Sequence, residues 1–223
     1  MGTRKGAGEM SNEVWKLDGE MIAYDEKGQI SQRSQVRDGC LQGETLYYDE
    51  DGQVSQSVPF QDGKVHGEMK MFSKGCILEM IPYCMGAEEG QAFTYDEHGH
   101  MLSIRSYHRG ELHGESHWFN SQGRVIKISQ FHQGQLEGET LEFFPSGALR
   151  ERLPYHANEL EGEVQRFYEN GIIKERRHFL NGQPFGVPLQ YDQYGNPQQD
   201  ISYPESDERS FSMKKVWQTI LPV

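Results

Sequence analysis

Glutamate residues recur at one position along the chain, and carboxylates are side chains that could act as acids or bases. At two of its eight occurrences, this position is occupied by Gln91 and Val187 instead of glutamate. The glutamates are Glu20, Glu44, Glu68, Glu115, Glu139 and Glu163. Acid–base catalysis needs paired groups whose pKa values are tuned by close contact. If each recurring unit is a pair of strands, neighbouring glutamates lie roughly 10 Å apart. We therefore expect a structural or solvated ladder and no catalytic residues.

Histidine is the other recurring side chain with functional chemistry, because imidazole ligates metals and titrates near neutral pH. Seven of the nine histidines fall into one repeated position and a group close to it in sequence. The repeated position carries His108, His132 and His156, and the nearby group is His98, His100, His113 and His117. Ligands of one zinc ion all lie about 2 Å from it, and side chains roughly 10 Å apart cannot share an ion. We expect solvated histidines and neither a metal nor a cofactor. A zinc site at His113 and His117 is the alternative.

The recurrence extends over most of the chain and identifies a repeat protein. A glycine that is usually followed by glutamate returns every 24 residues, with one step of 23. It stands at Gly19, Gly43, Gly67, Gly90, Gly114, Gly138, Gly162 and Gly186. An aromatic residue follows five positions later in every unit, from Tyr24 to Tyr191, and a second glycine follows the aromatic. The chain therefore contains eight repeats.

Each repeat has the pattern of a β-hairpin. Turn segments such as "DEKG" and "NSQG" place Asp or Asn first and Gly last, which suits a type I turn with a bulge. Apolar and polar residues alternate on either side of the turn. One hairpin is not stable alone. We predict an all-β fold in which eight hairpins stack edge to edge into an elongated single-sheet solenoid. Each hairpin's aromatic residues would pack on the loop leucine of the next hairpin.

The repeats divide the chain into three segments. Residues 1–14 are polar and Gly-rich, which indicates a disordered tail, and residues 15–205 form the repeat domain. In residues 206–223, the apolar side chains of Met213, Val216, Trp217 and Ile220 have helical spacing. We predict that this segment is a short amphipathic helix that caps the last repeat, because the ends of a solenoid need covering. A partner-binding tail is the alternative.

Charge and composition exclude several function classes. The net charge is −12, from 34 acidic and 22 basic side chains, which argues against nucleic acid and anionic membranes as partners. No stretch approaches the length of a membrane helix. The polar N-terminus predicts no signal peptide, and the three cysteines give no disulfide framework. We expect a cytoplasmic protein, or a periplasmic one if a signal peptide has been removed.

The pattern Gly-x-Leu-x-Gly-Glu…Tyr…Gly, as in "GCLQGETLYYDEDG" and "GQLEGETLEFFPSG", resembles the MORN repeat. The unit length and the "YDExG" turn are more similar to the bacterial MORN-variant branch, and the resemblance covers residues 17–203. It implies a sheet of hairpins. It also implies kinship with antitoxins, and with immunity proteins that neutralise secreted antibacterial effectors, phospholipases and type VI secretion effectors among them. Repeats 4 ("AEEGQ") and 8 ("QPFGV") depart from the pattern in the loop.

A one-layer sheet should carry its repeat aromatics on one face and polar residues on the other. Alternation predicts that this second face is polar in repeats 1 and 8 but apolar in repeats 3–5 and basic in repeats 6 and 7. The apolar residues are Tyr47, Met69, Met71, Leu78, Met80, Leu102, Ile104, Trp118, Ile126 and Ile128. The basic residues are Arg150, Arg152, Arg166, Lys174 and Arg176. A contiguous apolar patch of this kind indicates a binding surface. Cover by the C-terminal segment or by a curled sheet is the alternative.

The sequence therefore predicts a non-enzymatic protein-binding module. The expected partner is a toxin or effector enzyme that the chain neutralises, and the acidic charge would favour a basic partner. The alternative is a MORN-type scaffold that associates with membrane lipid or with a larger protein assembly.

Overall fold

The computed structural model describes residues 18–198, and these residues form one open antiparallel sheet of 20 strands. The predicted N-terminal tail and C-terminal helix lie outside the described residues. The strands are numbered in chain order. The first strands of the hairpins are β1 (Gly19–Tyr24), β4 (Gly43–Tyr48), β7 (Gly67–Ser73), β10 (Gly90–Tyr95), β13 (Gly114–Phe119), β15 (Gln135–Phe143), β18 (Gly162–Phe167) and β20 (Gln183–Gln190).

The second strands face the first ones across each turn, and five two-residue strands lie in the loops between hairpins. The second strands are β2 (Ile30–Arg37), β5 (Val54–Gln61), β8 (Cys76–Cys84), β11 (Met101–His108), β14 (Val125–His132), β16 (Leu149–His156) and β19 (Ile173–Leu180). The loop strands are β3 (Cys40–Leu41), β6 (Lys64–Val65), β9 (Ala87–Glu88), β12 (Glu111–Leu112) and β17 (Glu159–Leu160). Each second strand also pairs with the first strand of the next hairpin, as β2 does with β4. This confirms the predicted all-β stack of hairpins.

The hairpin turns are built from their own side chains, as the sequence predicts. In repeat 1, Asp25 Oδ1 accepts hydrogen bonds from the backbone amides of Lys27 and Gln29 at 2.9 and 2.8 Å. The amide of Gly28, at φ 79°, donates to the Asp25 carbonyl at 3.1 Å. Asp and Asn residues of other repeats make the same bonds. The turn therefore depends on its first and last residues.

Repeat 3 explains the single 23-residue step. Its turn has only Lys74 and Gly75 between the paired residues Ser73 and Cys76, and both turn residues have positive φ. This is the two-residue turn that fits the twist of a hairpin directly. Repeat 3 is therefore one residue shorter than the others because its turn is shorter, and the pairing of its strands is preserved.

A β-bulge follows the turn in repeats 1 to 7, and it decides which side chains share a face. In repeat 1, Ala23 pairs with Gln32 but Tyr24 pairs with Ile30, so one residue of β2 is extra. Side chains alternate between faces, so one extra residue reverses the alternation in the second strand. The first aromatic of each hairpin therefore lies on one face and the second aromatic on the other. The prediction that all repeat aromatics share a face is wrong.

We name the two faces after the residues that characterise them. The glutamate face carries the recurring glutamates and the first aromatics, from Tyr24 to Phe167. The serine face carries the second aromatics and the loop leucines, which pair directly, as Phe131 does with Leu136. It also carries a line of small side chains that are 0–1% exposed, namely Ser34, Thr45, Ala92, Ser116, Ser129 and Thr140.

Within residues 18–198, no second layer of structure covers these small residues. Large side chains of the same face cover them instead. In repeat 5, Ser116 pairs with Ser129, and Trp118 and Phe131 stand on opposite sides of this pair. Residues four positions apart along a strand are roughly 13 Å apart, yet the Trp118 and Phe131 rings approach to 6.4 Å between centroids. The two rings lean toward each other across the serines. The core of the sheet is therefore built within one face.

The two departures from the loop pattern are accommodated locally. In repeat 4, Glu88 replaces the loop leucine opposite Tyr83 and accepts a hydrogen bond from its hydroxyl at 3.1 Å. Burial raises the pKa of the Tyr83 phenol to about 12, and the Glu88 carboxylate adds to the effect. In repeat 8, Pro184 takes the leucine's place opposite Phe179.

Candidate functional site

The predicted binding residues do not share one face, and this corrects the sequence analysis. The serine face holds Tyr47, Met69, Met71, Trp118 and Arg166, whereas the glutamate face holds Met80, Ile104, Ile128, Arg152 and Arg176. The extra residues of the bulges are Leu78, Leu102, Ile126, Arg150 and Lys174. They belong to the serine face, because Arg150 contacts Glu142 there. The error arose because the sequence analysis assigned alternate residues to one face without allowing for the extra residue of each bulge.

Part of the predicted patch survives as a cluster on the serine face. We call Met71, Leu78, Leu102, Trp118 and Ile126 the serine-face cluster. Leu102 and Ile126 are each 37% exposed, and the other three side chains of the cluster are half-buried. Lys127 Nζ lies 5.3 Å from the Trp118 ring centroid at the edge of the cluster. Repeats 3–5 thus present aliphatic, Met and Trp side chains, the types that interface centres favour.

The other apolar residues continue a row across the glutamate face. Met80 pairs with Phe93, Phe93 with Ile104, Ile104 with His117, His117 with Ile128 and Ile128 with Leu141. All of these side chains are half-buried. The sequence analysis missed Phe93 and Leu141 in this row. Their position, three residues after the repeat glycine, would have revealed them.

The cations predicted for repeats 6 and 7 lie on both faces of the sheet, near carboxylates or an aromatic ring. Arg150 is paired with Glu142, Arg152 with Glu139 and Arg176 with Glu163. Arg166 lies 3.5 Å from both Glu151 and Glu175, and Lys174 Nζ lies 5.5 Å from the centroid of the Tyr168 ring. Each cation is matched to a carboxylate or a ring of its own sheet.

The recurring glutamates behave as structural residues. Glu20, Glu68, Glu139 and Glu163 each pair with a cation of the same hairpin at 3.2–3.9 Å. Glu44 Oε1 accepts from the hydroxyl of Ser57 at 2.5 Å beside an open depression that is lined by Leu46, Val54, Lys70 and Phe72. The depression brings a hydroxyl and a carboxylate together without the histidine that nucleophilic catalysis places between them.

A ladder of hydrogen bonds along the loop edge was missed by the sequence analysis. In repeats 1 to 4, 6 and 7, the side chain just before the repeat glycine accepts a hydrogen bond from the backbone amide of a positive-φ residue in the following loop. Gln42 accepts from Asp62, Glu89 from Arg109, Glu137 from Ala157 and Glu161 from Asn181, at 2.8–3.0 Å. We call this edge the rim. Such carboxylate–amide bonds satisfy turn amides that would otherwise rely on water.

The rim contains ion pairs whose strength depends on pH. The amide of Ala157 and the ring of His156 lower the pKa of Glu137, and Glu137 in turn raises the pKa of His156. The stability that the Glu137 carboxylate contributes to the fold is present at pH values above its ordinary pKa of 4.5. It is lost as the pH falls through the lowered pKa of Glu137. The imidazole's stabilisation is present below 6.5 and is lost as pH rises through its raised pKa.

We expect Glu137→Gln to lower the melting temperature more at about pH 5.5 than at about pH 8. The substitution removes the negative charge of Glu137, and that charge stabilises the fold most at low pH, where His156 is protonated. Thermal unfolding followed by circular dichroism tests this. Glu139→Gln is the control, since its partner Arg152 does not titrate in this range. Equal effects of Glu137→Gln at both pH values would contradict the prediction.

The predicted zinc alternative at His113 and His117 is not assembled. His117 lies on the glutamate face against Glu115, whereas His113 lies on the rim against His132. Among residues 18–198, no group of three or more His, Cys, Asp or Glu side chains could hold a metal ion as it stands. Within the same range, no helix combines the length and the apolar character needed to cross a membrane.

Comparison with known proteins finds a repeat similar to three segments of the chain. The family model described as "MORN repeat variant" matches residues 41–62, 136–157 and 160–181. No curated protein matches the chain. One solved structure that matches is a mutant of S. aureus TarM in complex with fondaparinux, alpha-GlcNAc-glycerol and UDP. It is 12% identical, with a TM-score of 0.32 over 43% of this chain and 19% of that chain, a likeness too low to carry an argument. MORN repeats are in general non-catalytic modules. The stacked hairpins and the three matched segments are similar to this repeat.

Proposed function

We propose that the chain is a non-enzymatic binding module whose serine-face cluster grips a basic toxin or effector enzyme and neutralises it, as an antitoxin or immunity protein does. One observation carries the proposal. In repeats 4 and 5, the exposed side chains of Leu102 and Ile126 stand on a sheet whose described residues supply no second layer to cover them. Apolar patches with this composition mark protein interfaces.

Charge indicates the kind of partner. The net charge of −12 attracts a basic protein and accelerates its capture. The same charge disfavours anionic lipid, and Arg150, Arg152 and Arg176 of repeats 6 and 7 are already paired with carboxylates. A toxin enzyme seated on the serine face would have its active site occluded by a rigid sheet, without chemistry from this chain.

The repeats supply matched variants for a test. Leu102→Arg/Ile126→Arg places arginine at the bulge position that Arg150 already occupies in repeat 6. Ile104→Arg/Ile128→Arg places it on the glutamate face, at the position of Arg152 and Arg176. Both variants add two positive charges at positions where other repeats carry arginine, and they change opposite faces of the sheet.

The experiment captures partners from the source cells with each protein and measures the inhibition of the captured enzyme. We expect wild type and the glutamate-face variant to inhibit equally, and the serine-face variant to need about tenfold more protein or higher. Equal inhibition by the two variants, or a loss confined to the glutamate-face variant, would overturn the site. Salt-sensitive flotation with anionic liposomes in place of protein capture would favour the lipid scaffold.

A further inference from the structure

Histidine takes the place of the rim carboxylate in repeats 3 and 5: His66 Nδ1 accepts from the Met85 amide at 3.3 Å, whereas His113 contacts a second histidine. Glu89 and Glu137 each accept an amide hydrogen bond and also contact a histidine at the end of the same hairpin, namely His108 and His156 at 2.9 Å. At the equivalent position, repeat 5 carries His113. Its ring lies 4.9 Å from that of His132, the histidine that ends this hairpin. A carboxylate–imidazole pair is thereby replaced by an imidazole–imidazole pair.

The spacing of the two rings suits a shared metal ion. With metal–nitrogen bonds of about 2.0–2.1 Å, the centroids of two imidazoles that bind one tetrahedral ion lie roughly 5 Å apart. We propose that His113 and His132 form a two-imidazole site for a divalent transition metal. Imidazole suits Cu²⁺, Ni²⁺ and Zn²⁺, with Cu²⁺ the tightest. The remaining coordination positions are left to water.

A third imidazole lies beside the pair. The His108 ring centroid is 5.7 Å from that of His113, and His108 Nδ1 is held by Glu89 Oε1. A carboxylate on one ring nitrogen orients the imidazole and leaves its other nitrogen able to bind a metal, an arrangement common around protein-bound metals. Because no three side chains hold a metal as they stand among residues 18–198, His108 would have to move toward the pair to become a ligand. His108 and His132 belong to successive repeats that His113 joins. A bound ion would therefore clamp neighbouring repeats at the rim. This site is independent of the serine-face cluster.

Calorimetric titration with CuCl₂, NiCl₂ and ZnCl₂ tests the proposal on protein that carries no histidine tag. We expect one ion per chain, affinity highest for Cu²⁺, and no binding of Mg²⁺. His113→Gln and His132→Gln should each weaken binding by about tenfold or more, as loss of one ligand of a pair does. His117→Gln and His156→Gln, outside the pair, should bind as wild type does.

A second readout separates this site from scattered surface binding. Substoichiometric Cu²⁺ should broaden the imidazole proton signals of His113 and His132 first, and that of His108 next. The signals of His98, His100 and His156 should stay sharp. Binding unchanged by both single variants, or uniform broadening of all imidazole signals, would overturn the proposal.

Discussion

The substitution Ser129→Asp is expected to lower the free energy of unfolding by about 3 kcal/mol at neutral pH, because it places a charge in the covered line of the serine face. Ser129 is 0% exposed, and its hydroxyl accepts from Thr140 Oγ1 at 2.9 Å. Its paired neighbours on this face, Ser116 and Thr140, carry no positive charge. A carboxylate at this position would be desolvated without a cation to compensate it.

The effect should depend on pH in a defined direction. Burial disfavours the charged form, so the folded-state pKa of the new carboxyl should lie above its ordinary value. The loss of stability is then greatest at high pH and fades as pH falls below the ordinary Asp pKa of about 3.9, where the carboxyl becomes neutral in both states. Urea denaturation at several pH values measures it. Ile126→Asp, three residues away at an exposed bulge position, should cost less than about 1 kcal/mol. Similar losses in both variants would contradict the covered line.

The fold follows from the sequence because its signals are local. The Asp or Asn that begins each turn and the glycine that ends it fix the hairpins, and a period of 24 residues fixes their stacking. Phe131 and Leu136 meet as the pattern predicts, since pairing across a short loop leaves few alternatives. Turn chemistry and repeat period together determine the sheet.

The faces do not follow from simple alternation, because one bulge residue reverses the second strand. Leu102 and Ile104 seem to share a face when residues are counted in steps of two, yet Ile104 lies beside His117 on the glutamate face. No residue type in the sequence marks the bulge residue, which pairs with no residue of the first strand. The turn "DEHG" is the available signal, since a four-residue turn of this type is commonly followed by a bulge.

The rim also escaped the sequence analysis for a physical reason. The residue before each repeat glycine varies among Gln42, Glu89, His113 and Glu137, so no conspicuous pattern marks it. Its role depends on a backbone amide 20 residues later in the chain. The same distance in sequence hid the contact of His113 with His132, because histidines of one register were compared only with each other.

The second large expected effect is that partner binding protects engineered cysteines from a thiol reagent. This protection distinguishes the serine face from the glutamate face. The exposed Cys40, Cys76 and Cys84 would first be replaced by serine. Single cysteines would then be placed at Leu102 or Ile126 on the serine face, and at Ile104 or Ile128 on the glutamate face. The captured toxin or effector enzyme is added at saturating concentration, and modification rates are compared with those of the free protein.

With partner at ten times its Kd, we expect modification at positions 102 and 126 to slow about tenfold, since only the free fraction reacts. Modification at positions 104 and 128 should keep its free rate. Each cysteine variant must retain the melting temperature and the inhibitory activity of the parent. Protection at 104 and 128 with none at 102 and 126, or no protection at any of the four, would contradict binding through the serine-face cluster.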